Sequence, residues 1–146
     1  MKKSTLLRAA LVLLPLLVVA VAAGPNGATV IHAGTADMTT WFQMIPEYDW
    51  GWCLPVAGMM NYALFVLSVG YLLLKKHWYV KWIRGLAFTA LCLTALPVVI
   101  QTDVKVIANV RGMCLLAAEY FVAQIIVKEQ VAAAESAPKG KRLDRR

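Results

Sequence analysis

The stretch "CLPVAGMMNYALFVLSVGYLLLKKHWYVKW", residues 53 to 82, decides the fold. Its first 22 residues carry no charge and are long enough to cross ~30 Å of hydrocarbon as a helix. They stop at Lys75-Lys76 and an aromatic, basic connector of the kind that sits at a membrane-water boundary. Three further apolar stretches flank this one, at about 5–23, 83–101 and 105–127, each of spanning length. Continuous apolar runs, not alternating ones, carry the signal, which excludes a transmembrane barrel.

Composition agrees. In 146 residues, 60% hydrophobic content with 16% charged residues is too apolar for an ordinary soluble domain. The net charge of +7 does not point to nucleic acid, because the basic residues lie in short clusters beside the apolar runs. The expected fold is all-α: an antiparallel four-helix transmembrane bundle over residues 1–127, followed by a cytoplasmic helical extension and basic disordered tail over 128–146.

Orientation follows from the charges. If the chain crosses four times, Lys2, Lys3, Arg8, Lys75, Lys76, Lys81, Arg84, Lys128, Lys139, Lys141, Arg142, Arg145 and Arg146 fall on one side, thirteen of the fifteen Lys and Arg. The positive-inside rule makes that side cytoplasmic, with both termini in, as in a bacterial cytoplasmic membrane. The other side receives Asp37, Glu47, Asp49 and Asp103 with Lys105. Trp50, Trp52, Trp78 and Trp82 mark span ends, where amphipathic rings favour the headgroup region.

The first span has two readings. "MKKSTLLR" before an apolar run ending in Ala20-Val21-Ala22 suits either a retained anchor or a cleaved secretory signal, and in the second case three helices remain. Both deliver Gly24 to the outside. The outer connection 24–52 begins with the breakers "GPNG", and Trp41, Met44, Ile45 and Tyr48 then recur at helical spacing, which suits a short surface helix or an aromatic loop over the bundle. His32 has no metal-spaced companion and reads as a loop residue. Asp103 is placed to cap the fourth helix after a tight outer turn. Cys53, Cys92 and Cys114 form no ligand pair, differ in depth and read as small apolar residues.

Polar residues within the spans are the candidate functional residues, since a lipid-facing charge costs several kcal/mol. Gly112, Leu115, Glu119 and Ala123 share one helical face with Ala108, and such small residues allow close helix contact, so Glu119 is expected to point into the bundle. There a low dielectric disfavours the charged form and leaves a neutral acid able to exchange a proton. Arg111 lies ~12 Å further toward the outside and ~80° round the helix, and reads as an anchor reaching outward to headgroups, Asp103 or Asp49. Counting depth gives two polar layers: Asn61, Thr94 and Arg111 outside, and Ser68, Thr89 and Glu119 inside, with Ser68 and Thr89 as candidate donors to Glu119.

Motifs for nucleotide, zinc or serine-hydrolase chemistry are absent, and two histidines on opposite sides leave no metal cluster, so neither catalysis nor a cofactor is expected. The chain reads as a non-catalytic membrane component, assembling with itself or a larger membrane partner, its tail on anionic inner-leaflet lipids. The alternative is an oligomeric proton- or cation-coupled transporter using Glu119. In size and helix count the chain is similar to the small multidrug-resistance transporters. That family carries its essential glutamate in the first helix, where this sequence has no acidic residue, so the resemblance fails at the position that matters and no family is assigned.

Overall fold

A computed structural model describes residues 3–32, 34–43, 52–100, 105–108 and 110–136. Four helices dominate: α1 (Lys3–Ala23), α2 (Cys53–Leu74), α3 (His77–Val99) and α4 (Val110–Glu135), all long and apolar enough to cross a membrane. Three strands accompany them: β1 (Ala28–His32), β2 (Thr35–Thr39) and β3 (Lys105–Ala108). The helices form a ring in which α1 packs on α2 and α4, and α3 packs on the same two.

Each helix turns one stripe inward at spacings of three and four, the period that keeps side chains on one face. The stripes are Leu11, Pro15, Val18 and Ala22 on α1; Ala57, Asn61, Leu64, Ser68 and Tyr71 on α2; Val80, Ile83, Ala87, Ala90 and Thr94 on α3; and Gly112, Leu116, Glu119, Ala123 and Ile126 on α4. Outward faces carry Leu13, Leu17, Met59, Val66, Phe88 and Phe121, all exposed. So broad an apolar surface is foreign to a water-facing bundle and matches a hydrocarbon solvent.

The sheet corrects the all-α expectation. Its order is β2-β1-β3, antiparallel throughout, with His32 paired to Thr35 across a tight turn where Gly34 holds φ 85°. β1 and β2 are thus the arms of a hairpin, with His32 in a strand and not a loop, and Trp41 lies in a turn instead of a surface helix. Met44, Ile45 and Tyr48 lie outside the described residues, as does Asp103. The fourth span also starts later than expected, because 105–108 leave the helix to pair with β1. β-Branched Thr29, Val30 and Ile31 suit this ladder.

Two neighbouring aromatic residues key the sheet into the bundle. Trp41 is fully buried; its indole N–H donates to the Gly27 carbonyl at 2.6 Å, and its backbone N–H to that of Ala22 at 2.9 Å. Its ring fills the space a side chain would take at Gly112, where a Cβ would stand 2.7 Å from Trp41 Cζ2. Phe42 does the same at Gly58 of α2, 2.6 Å from a Cβ there, and packs against Tyr62 at 5.6 Å. Across the sheet, the buried row Thr39-Ala28-Ala108 presents small residues to the bundle.

At the other end α2 stops at Lys75, whose φ of 52° lets its N–H cap the Tyr71 carbonyl, and extended Lys76 starts α3. α3 therefore begins at His77, six residues before the apolar run starts. Trp78 and Trp82 are exposed there, stacked on Tyr79 and edge-on to each other respectively.

Candidate functional site

The site is the set of polar atoms on the inward stripes. Glu119 is 0% exposed, and no protein donor among the described residues reaches Oε1 or Oε2. Asn61 is equally buried; its amide donates to the Ala57 carbonyl one turn back at 2.7 Å, which leaves Oδ1 without a partner. Ser68 Oγ is buried and unpartnered as well. A fourth buried polar side chain, Thr94, donates to its own helix at the Leu91 carbonyl, 2.8 Å away. In native interiors such orphaned atoms are few, and each asks for an explanation.

The remaining sequence candidates lie elsewhere. Thr89 is exposed and donates to the Gly85 carbonyl at 3.0 Å, so it is no donor to Glu119. Its neighbour Ala90 takes the inward position, and one residue is 100° of rotation. Ser68 faces inward but makes no bond to the carboxyl. Arg111 is exposed near the start of α4. The partners proposed for it, Asp49 and Asp103, fall outside the described residues. Cys53 is buried, Cys92 and Cys114 are exposed, and all three are free thiols.

Two fixed points set the level of Glu119 against α2. At the sheet end, Trp41 and Phe42 occupy Gly112 and Gly58. At the opposite end, Gln130 Nε2 donates to the Tyr71 hydroxyl at 3.2 Å. Interpolating between them places Glu119 across from about residue 63, within ~8 Å along the axis of both Asn61 and Ser68. The inward stripes of α1 and α3 carry no charged side chain among the described residues. Half-buried Arg84 of α3 is engaged with Gln124 Oε1 at 3.0 Å, about a turn and a half beyond Glu119.

Comparison with family models, characterised proteins and solved structures returned no match.

Sequence reasoning missed the Arg84–Gln124 and Tyr71–Gln130 bridges and the pairing of Trp41 with Gly112. For the first two a signal existed, since Gln124 and Gln130 follow Glu119 on the last helix. For Trp41 it lay in the glycines: Gly58 and Gly112 each mark a place where something large must enter.

Proposed function

We propose that the chain is a non-catalytic, multi-pass component of a bacterial cytoplasmic membrane, with successive helices antiparallel, both termini cytoplasmic, and the sheet presented outside. The basic clusters and the boundary tryptophans support that orientation. α1 is retained as a span in this reading, and its fully buried Leu11, Val18 and Ala22 support it. Intact-mass analysis of protein purified from native membranes is expected to include residues 1 to 22; loss of that mass would establish a cleaved leader.

The observation that carries the component reading is the outer edge of β2, beside which no further strand lies among the described residues. In a two-residue hairpin the closing pair, His32 and Thr35, exchanges both bonds, so the amides of Ala36 and Met38 point away from β1. Met38 is 67% exposed, and no proline or lysine interrupts the strand. Such an edge suits strand addition by a larger membrane partner. Ala36→Pro removes one outward N–H without touching the β1 ladder. We expect a stoichiometric partner to co-purify with the native protein and to be lost from this variant, with its unfolding midpoint unchanged. Equal recovery with both proteins would reject the edge as the docking element.

A second reading has its own observation. The unpartnered carboxyl of Glu119, fully buried on the inward stripe of α4, favours a proton- or cation-coupled transporter. A coupling carboxyl loses activity in Glu119→Gln, which keeps size and hydrogen bonding but releases no proton. A variant with unaltered pH-dependent transport in vesicles would reject the coupling role.

A further inference from the structure

We infer that the outward face of α3 seats an anionic phospholipid of the cytoplasmic leaflet, with an acyl chain in a notch at Gly85 and the phosphate against Lys81, an inference that rests on the membrane orientation proposed above and not on the edge of β2. Within the helices, Gly58, Gly70 and Gly112 each have an aromatic ring in the space their missing side chain leaves: Phe42, Tyr79 and Trp41, at 2.6, 3.1 and 2.7 Å from a Cβ there. Gly85 is the exception among the described residues. It is exposed, and a Cβ there would meet nothing within 4 Å. A glycine inside a helix weakens it relative to alanine, and here no contact within the chain accounts for that cost. What fills the space comes from outside the chain.

The walls of the notch are braced. Lys81 and Trp82 stand one turn before Gly85, and Phe88 and Thr89 one turn after, all exposed and within ~60° of it around the helix. Trp78 precedes Trp82 by a turn. It stacks on Tyr79 at 4.4 Å, Tyr79 packs against Gly70 of α2, and Trp82 stands edge-on to Trp78 at 6.4 Å. On the far side Phe88 leans on Tyr120 of α4 at 5.7 Å. The Thr89 hydroxyl donates to the Gly85 carbonyl at 3.0 Å, so its proton is spent on its own helix. Braced apolar walls suit a hydrocarbon chain, because little side-chain freedom is lost when the chain enters.

The charge at one end selects the headgroup. Lys81 lies ~6 Å from Gly85 along the helix toward the cytoplasmic boundary, level with the indoles that mark the headgroup region. The stretch "KKHWYVKWIR", residues 75 to 84, contains no acid, and Lys75, Lys76 and Lys81 are all exposed. Lys75 holds φ 52°, a left-handed conformation that glycine adopts at less cost, so this corner keeps a cation where the backbone favours a neutral residue. Arg84, half-buried, is engaged by Gln124. A second copy of the chain fits the same face poorly, since two-fold contact through α3 would bring one Lys81 against the other. An anionic lipid neutralises the charge and fills the notch at once.

The test is tryptophan quenching on the full-length protein in phosphatidylcholine vesicles that hold a small fraction of phosphatidylglycerol or phosphatidylcholine, brominated near the headgroup end of one acyl chain. The emission of Trp78 and Trp82 is the difference between the protein with both indoles and a variant carrying Trp78→Phe and Trp82→Phe. At equal fractions, brominated phosphatidylglycerol is expected to quench this emission about threefold more than brominated phosphatidylcholine. Lys81→Gln, which removes the charge, and Gly85→Leu, which fills the notch and keeps every charge, are each expected to abolish that preference. Both positions are exposed and leucine is a better helix former than glycine, so neither change is expected to lower the unfolding midpoint. Equal quenching by the two lipids in the native protein, or a preference that survives either substitution, overturns the lipid site and leaves the membrane-component reading standing. A Gly85→Leu change that splits a dimer while the preference stays gives the notch to a second copy and overturns the lipid site as well. No quenching when every lipid is brominated overturns both.

Discussion

Replacing Trp41 with alanine is expected to destabilise the protein by about 3–5 kcal/mol, the range for emptying a fully buried aromatic site. The indole closes the joint between the end of α1, the start of α4 and the sheet, so its loss opens all three at once. Trp41→Phe keeps most of the apolar contact but strands the Gly27 carbonyl, at about 1–3 kcal/mol. Gly112→Ala approaches the same joint from the other side: its Cβ would overlap Trp41 Cζ2 at 2.7 Å, which costs about 1–3 kcal/mol as overpacking. Unfolding in mixed micelles against increasing dodecyl sulfate measures all three. In the Trp41→Ala background the Gly112→Ala change is expected to become nearly neutral, since the atom it strikes is gone. Additive losses would show that Trp41 and Gly112 act separately.

The second large effect has the opposite sign. Glu119→Leu is expected to stabilise the protein by about 1–3 kcal/mol, because it exchanges two unpartnered buried oxygens for an apolar side chain of similar volume. A glutamate retained for structure behaves otherwise: with real hydrogen-bond partners, its replacement by leucine strands them and lowers stability. The same unfolding assay decides the sign. A loss above about 1 kcal/mol would mean that Glu119 is satisfied in the folded state. A gain would identify a residue kept at the expense of stability, as is common at functional sites.

The spans were legible because length and polarity alone define them. α2 runs from Cys53 to Leu74, where the apolar run does, since Trp52 and Lys75-Lys76 bound it on both sides. α3 starts earlier than its hydropathy does. "HWYVKW" is too polar to count as hydrocarbon-soluble, yet nothing in it breaks a helix. "KVIA" misled in the other direction, because a short apolar run is helix and strand alike until its partner is known, and this partner is Ala28 to Ile31. Of the helical spacing from Trp41 to Tyr48 only the first member lies among the described residues, and Trp41 sits in a turn with its ring in the bundle joint.

For the interior, the inward stripe of α4 was readable, and the partners of its polar side chains were not. Glu119 shares its stripe with Gly112 and Ala123, small residues whose spacing marks the packed face. Thr89 matched Glu119 in depth but sits a step of rotation away, on the outward side. Asn61 and Thr94 spend donors on their own helices, a local competition that spacing does not reveal.

The pairing of β1 with β3 also imposes a sequence of events during synthesis. The hairpin of β1 and β2 is complete once Thr39 has emerged, but the other edge of β1 waits for residues 105–108, about 70 residues later. At ~5–20 residues per second that is roughly 4–14 s, during which α2 and α3 are made while one strand edge of β1 waits for β3. β3 acts as a clasp that shuts only after the third helix is in place. A ribosome that stops at about residue 100 therefore releases a three-helix chain whose hairpin is free to pair with the wrong neighbour.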